Sequence, residues 1–306
     1  MTNMKLRQQA TWAICGAVLV VSAGLHSHAA DRATRSSIFR RDNLVAWCIV
    51  PFDAAKRQPL ARAKMLKRLG LTKLAYDWRA EHVPSFEDEI RSLQREGIEF
   101  FAFWSPASRS DGYNSMMRLI KQYKLHPQIW MIAPSQPGDS DAQRVALNAR
   151  AMLPFVADAH RLGCAFALYN HGGWSGQPDN LIAMVHWLRD QVHRADIGIV
   201  YNFHHGHEHL DQFPAAFQRM LPYLMCVNLD GVTPGGPMIL PLGHGTKDLE
   251  ILKMVRASGY RGRIGILDHR ADLDAEKSLR ENIEGLKKLL HTLGDRDALR
   301  SFGGDR

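Results

Sequence analysis

The chain has 306 residues and a formal net charge of +8, with 45% hydrophobic and 23% charged residues. That composition belongs to a globular protein with a sizeable core and excludes a disordered, collagen-like or disulfide-dense chain. The basic residues are scattered through helical patterns and form no stripe, so they read as a solvated surface and not as a nucleic-acid footprint.

Residues 1–29 read as a cleavable signal peptide. Lys5 and Arg7 form a basic start, an apolar run extends from Trp12 to Leu25, and Ser27-His28-Ala29 gives a small-x-small cleavage pattern. The run is short for a membrane span; an uncleaved anchor is the alternative reading. Cys15 follows Trp12, Ala13 and Ile14, which is not a lipoprotein pattern. The implied destination is the periplasm or the medium, with no membrane attachment after cleavage. Without Lys5 and Arg7 the formal charge falls from +8 to +6. Residues 30–42, with Arg32, Arg35, Arg40 and Arg41, read as a flexible leader. Cys48, Cys164 and Cys226 each sit in or beside an apolar run. They read as buried small hydrophobes, with one disulfide and one leftover thiol as the alternative.

From 43 to 295, short apolar runs alternate with helical patterns eight times, and 296–306 reads as a tail. Strands are predicted at 44–50, 73–76, 99–103, 128–132, 165–169, 197–201, 224–227 and 263–267, with lengths that suit buried parallel strands. Between them, Val145, Ala149, Met152 and Val156 place one apolar stripe on a helix face. Leu181, Val185, Leu188 and Val192 do the same, as do Leu279, Ile283, Leu286 and Leu290. Gly70, Gly97, Gly163 and Gly259 each stop a helical pattern shortly before a strand. Strict alternation over about 250 residues predicts a single (β/α)8 TIM barrel, in the α/β class. An open doubly wound sheet is the alternative, but no GxGxxG follows the first strand.

In such a barrel the active site forms at the C-terminal strand ends. Strand two runs into Asp77, Trp78 and Arg79, and strand three into Trp104. Strand five runs into Asn170, His171, Gly172, Gly173 and Trp174, and strand six into Asn202, His204 and His205. Strand seven runs into Asn228 and Asp230, and strand eight into Asp268 and His269. Polar groups converging on one mouth suit a polyhydroxylated ligand, for which Trp47, Trp104 and Trp174 would offer flat apolar faces. The expected ligand-binding groups are Asp77, Arg79, Trp104, Asn170, Asn202, Asn228 and His269. His204 is left open, because strand neighbours alternate faces.

The C-terminal half carries motifs of a known family. Tyr169-Asn170-His171-Gly172-Gly173 resembles the Glu-Asn-His-x-Gly of the xylose isomerase-like TIM barrels, the sugar phosphate isomerases and epimerases to which type-2 AP endonucleases are related. Asn202-Phe203-His204-His205 is similar to their Asp-x-x-His. Gly243-His244-Gly245-Thr246-Lys247-Asp248 is similar to their Gly-x-Gly-x-x-Asp, and Gly259-Tyr260-Arg261-Gly262 to their Gly-Tyr-x-Gly. The resemblance spans 43–290. It implies one divalent metal held by Glu, Asp, His and Glu, but those positions fall here on Tyr169, Asn202, Asn228 and Leu267. No carboxylate remains for a hard cation. His171, His205 and His269 form an alternative, zinc-like donor set.

The resemblance also implies an enzyme, exported if residues 1–29 are a signal peptide, that moves a proton next to a carbonyl of a sugar or keto-sugar, by isomerisation, epimerisation or elimination. His205 or His171 is the expected base, the other being an acid or oxyanion donor, and Asp77 and Asp230 are the fallback bases. The competing reading is a carbohydrate-binding barrel that has lost catalysis along with the metal ligands. A nucleic-acid partner is not expected.

Overall fold

The computed structural model describes residues 36–303. The signal peptide assigned to 1–29, the leader residues 30–35 and the last three residues lie outside the described residues. Eight parallel strands close into one barrel in sequence order. They are β1 (Leu44–Trp47), β2 (Lys73–Tyr76), β3 (Glu99–Ser105), β4 (Gln128–Ile132), β5 (Phe166–Tyr169), β6 (Ile197–Asn202), β7 (Leu224–Leu229) and β8 (Arg263–Leu267). The ring is sealed by β1 against β8, with Leu44 beside Ile264 and Trp47 beside Leu267. The barrel is the (β/α)8 fold expected from the strand–helix alternation.

The outer layer holds α1 (Pro59–Arg68), α2 (Phe86–Glu96), α3 (Asp111–Gln122) and α4 (Asp141–Arg161). It continues with the short α5 (Gly173–Gly176), α6 (Pro178–Val192), α7 (Phe213–Met220), α8 (Asp248–Ala257), α9 (Ala275–Leu293) and α10 (Arg296–Ser301). The apolar stripes read from the sequence face inward: Ala149, Met152 and Val156 on α4 and Leu181, Val185 and Leu188 on α6 are fully buried. Gly97 closes α2 with a left-handed φ of 73°, where a side chain would be strained. Among the described residues no helix is long and apolar enough to cross a membrane.

Strand alternation sorts two cores. Ile199 and Tyr201 of β6 face the helices, while Val200 faces the barrel axis with Val45, Ala75, Ala102, Trp130, Ala167 and Cys226. Cys48, Cys164 and Cys226 are buried free thiols, so the alternative disulfide is not formed.

Two expectations about the ends are corrected. From Ser37 onward the supposed leader belongs to the barrel's base. Ser37 N–H donates to Asp297 Oδ2 at 2.7 Å, its hydroxyl to Asp295 Oδ2 at 2.8 Å, and Arg41 N–H to Ser301 Oγ at 2.8 Å. Ile38 and Phe39 are buried. The supposed tail is α10, which buries Ala298 and is followed by buried Phe302. Each end orders the other across some 260 residues of chain.

Candidate active site

The mouth of the barrel holds a small cavity open to solvent. It is lined by Trp47, Cys48, Phe52, Asp77, Arg79, Trp104, Tyr169, His171, Asn202, His204, His205 and His269. Asp77, Arg79, Trp104, His171, Asn202, His205 and His269 therefore meet as the strand-end argument requires.

The floor is aromatic. Trp104 lies edge-on to Tyr169 with ring centroids 4.5 Å apart, and Trp47 packs on Trp104 at 5.5 Å. The Tyr169 hydroxyl accepts hydrogen bonds from Trp47 Nε1 at 3.3 Å and from Asn202 Nδ2. Burial pushes its phenol well above the ordinary range, so Tyr169 stays neutral. Where the resemblance implies a metal-binding glutamate, this chain has a neutral ring tied down by two donors.

The asparagines divide in role. Asn170 Nδ2 donates to the Asn202 carbonyl at 3.0 Å, and Asn170 Oδ1 accepts from Asn202 N–H at 2.6 Å. Both ends of its amide are spent on tying β5 to β6, and it does not line the cavity, contrary to expectation. Asn202 Oδ1 accepts from His204 N–H at 3.1 Å and starts a turn of 3-10 helix over Phe203–His205. That turn breaks strand alternation and brings both His204 and His205 into the cavity, which the sequence pattern left open for His204. Asn228 also departs from expectation. It lies inside the barrel beside Gly265, its Oδ1 accepts from Cys226 Sγ at 3.5 Å, and it does not reach the cavity lining. Trp174 is likewise drawn to the outside, with Nε1 on Asp141 at 3.1 Å and the Arg144 guanidinium over its ring at 4.2 Å. Asp230 is buried with neither oxygen partnered, and it stands outside the lining.

The histidines form a row. Ring centroids are 4.2 Å apart for His171 and His205, 4.3 Å for His205 and His204, and 4.9 Å for His204 and His269. His204 Nδ1 lies 2.9 Å from the Met238 carbonyl, which accepts its proton and fixes the ring. Burial, reinforced by the neighbouring rings, lowers His205 to about 3 and His269 to about 4. His204 is lowered for the same first reason. These three imidazoles are therefore held neutral at physiological pH. Cys48 and His269 carry left-handed backbones, φ 58° and 53°, at the ends of β1 and β8. Such strain in non-glycine residues concentrates at functional sites. Sequence patterning missed Cys48 and Phe52 because both lie beyond the true end of β1.

The opposite wall carries the charge. Asp77 is 2% exposed; its Oδ1 accepts from Val50 N–H at 3.2 Å and its Oδ2 has no partner. Burial raises it to about 7 against the opposing pull of the Arg79 guanidinium.

The metal expectations can be tested on these donors. Tyr169, Asn202, Asn228 and buried Leu267 supply no carboxylate, so a hard divalent cation does not fit at the four positions the resemblance implies. The three-histidine alternative is corrected too: His204 stands between His205 and His269. Among the described residues no group of three His, Cys, Asp or Glu side chains could hold a metal ion.

The motif Gly243–Asp248 proves structural. Asp248 accepts the N–H groups of Val232 at 2.7 Å, Gly243 at 2.7 Å and Gly245 at 3.0 Å, pinning the loop after β7.

The barrel superposes on several solved structures. The IolI protein with a bound zinc atom gives a TM-score of 0.61 at 13% identity, over 81% of this chain and 98% of that one. The fold is that of the xylose isomerase-like TIM barrels. An apo 3-keto-D-glucoside 4-epimerase of E. coli gives 0.58 at 14% identity, over 82% and 99% of the two chains. A D-psicose 3-epimerase of Clostridium cellulolyticum H10, solved with D-tagatose, gives 0.52 at 14% identity, over 84% and 96%. No protein-family model and no curated protein matches the sequence.

Proposed function

We propose that this xylose isomerase-like barrel is an enzyme that moves a proton next to a carbonyl of a sugar or keto-sugar, in an isomerisation, epimerisation or elimination. The observation that carries the reading is the His171–His205 pair, 4.2 Å ring to ring inside a cavity floored by Trp47, Trp104 and Tyr169. Apolar ring faces suit sugar C–H surfaces, and the polar strand ends suit hydroxyls. Deprotonating carbon next to a carbonyl needs a base at the carbon and a hydrogen-bond donor at the oxygen where charge develops. A histidine held neutral by burial donates its N–H to that oxygen without first having to lose a proton. This assigns the oxygen to His205. His171, exposed at the rim and in the same row, takes the proton. No step is assigned to a divalent metal, because the donors at the family's positions do not fit one. The epimerases that share the fold support the reaction class.

The missing carboxylates favour a second reading, a carbohydrate-binding barrel without turnover. Incubation with keto-sugars in D2O separates the two. Deuterium entering the ligand at the carbon next to its carbonyl, detected by proton NMR, is the expected result. Ligand binding with no exchange across the series would establish the binder.

The proposal extends to export. N-terminal sequencing of the secreted chain is expected to begin at Ala30, and an intact Met1 in the soluble cell fraction would refute it.

A further inference from the structure

We propose that the ligand of this cavity is a sugar acid, with its carboxylate bound by Arg79. The inference rests on the sugar reading above and narrows it to a charged substrate class. Arg79 is the one lysine or arginine in the cavity lining. It is braced rather than loose: Nη1 donates to the Asp77 carbonyl at 3.1 Å and to the Trp78 carbonyl at 2.8 Å. Its guanidinium also lies over the Phe52 ring at 5.4 Å, and that ring packs on His269 at 3.9 Å. Among the described residues Arg79 makes no ion pair with a carboxylate, and its Nε and Nη2 groups have no acceptor. A fixed guanidinium with a free edge is the shape that binds a carboxylate through two parallel hydrogen bonds.

A second observation points to the same ligand. Asp77, two residues before Arg79 and buried to 2% exposure, leaves Oδ2 unpartnered in the lining. An orphaned buried oxygen is costly unless a ligand meets it. A sugar hydroxyl beside the carboxylate supplies that partner. Burial resists the ionisation of Asp77, so Asp77 leaves part of the Arg79 charge for the ligand to neutralise. The neutral histidines opposite add no further cation. One guanidinium matches a monoanion; a phosphate dianion would leave charge uncompensated in a half-buried site.

Calorimetric titration at pH 6 tests this with D-glucuronate, D-galacturonate and D-fructuronate against D-glucose, D-galactose and D-fructose, with glucose 6-phosphate as a separate arm. At least one uronate should bind about 10- to 100-fold more tightly than its neutral counterpart, the worth of a charge-assisted hydrogen-bond pair. Arg79→Gln, at an exposed position, should fold normally and abolish the preference. Arg79→Lys should restore only part of it, because charge returns without the fork. Neutral sugars bound as tightly as uronates, or uronate binding unchanged in Arg79→Gln, would overturn the carboxylate assignment and leave the sugar reading standing. Tighter, Arg79-dependent binding of glucose 6-phosphate would overturn it in favour of a phosphate ligand. A chain that binds neither series overturns this inference and the sugar reading together.

Discussion

The two walls of the mouth solve the same electrostatic problem differently. On the β5–β6 wall, Tyr169, Asn202, His204 and His205 present groups that are uncharged at neutral pH, the first three held by hydrogen bonds to one another and to the backbone and His205 packed against neighbouring rings. On the β2 wall stand a carboxyl and a guanidinium, Asp77 and Arg79, and only one oxygen of the Asp77 carboxyl is satisfied. A buried neutral network is inexpensive once its hydrogen bonds are made, whereas a buried carboxyl needs a proton, a cation or a ligand. The comparison teaches that this barrel meets its ligand with neutral groups on one wall and concentrates its charge on the facing wall.

The largest expected effect tests the neutral wall. If His171 and His205 act together, His205→Gln and His171→Gln should each keep ligand affinity within a modest factor. Turnover should fall by about 100- to 10,000-fold, the usual worth of a positioned acid or base. The double variant should lose less than the product of the two, as for groups acting as a unit. Full turnover in both variants, measured as deuterium exchange into the keto-sugar, would move the chemistry to the charged wall and leave Asp77 as its base.

Smaller, and on the other wall, is the pH dependence of stability. Asp77 stands at about 7 in the folded chain against about 3.9 for a free aspartate. Folding therefore favours its protonated form. That contribution is complete below about pH 4 and is lost as pH rises through 7. An asparagine at this position cannot ionise, so Asp77→Asn should be more stable than the parent at pH 8, by at most about 4 kcal/mol. The gap should close on lowering the pH toward 4. Urea unfolding of both proteins at each pH checks this. A parent that gains stability over the variant as pH rises would mean that Arg79 overcomes the burial of Asp77, and the two walls would then differ less than the geometry implies.

Fold and site were not equally legible in the sequence. The eight strands and their helices are local patterns, and the rule that chemistry gathers at strand ends placed Asp77, Arg79, Trp104, His171, Asn202, His205 and His269 in one cavity. What failed depended on distant or irregular partners. Ser37 and Asp297 find each other 260 residues apart, so neither end announced its order. The 3-10 turn at Phe203 overrode the period of two and admitted His204. Asn170, Asn202 and Asn228 are the same residue type at equivalent strand ends. One clamps, one lines the cavity and one fills the barrel: Asn170 meets the Asn202 backbone, Asn202 the Tyr169 hydroxyl, and Asn228 the space left by Gly265.

Asn170 gives the smallest and sharpest test of that division. Its amide satisfies both the N–H and the carbonyl of Asn202, and it does not itself line the cavity. Asn170→Ala removes both partners and leaves two buried backbone groups unpaired, which should cost about 1–3 kcal/mol of stability. The urea midpoint should fall with an unchanged slope, because the loss is local and the unfolded chain is unaltered. Ligand affinity should weaken only modestly, through small displacement of the turn that carries His204 and His205. Unchanged stability with lost binding would show instead that Asn170 turns toward the ligand. The neutral wall would then be a recognition surface rather than a clamped frame for the two histidines.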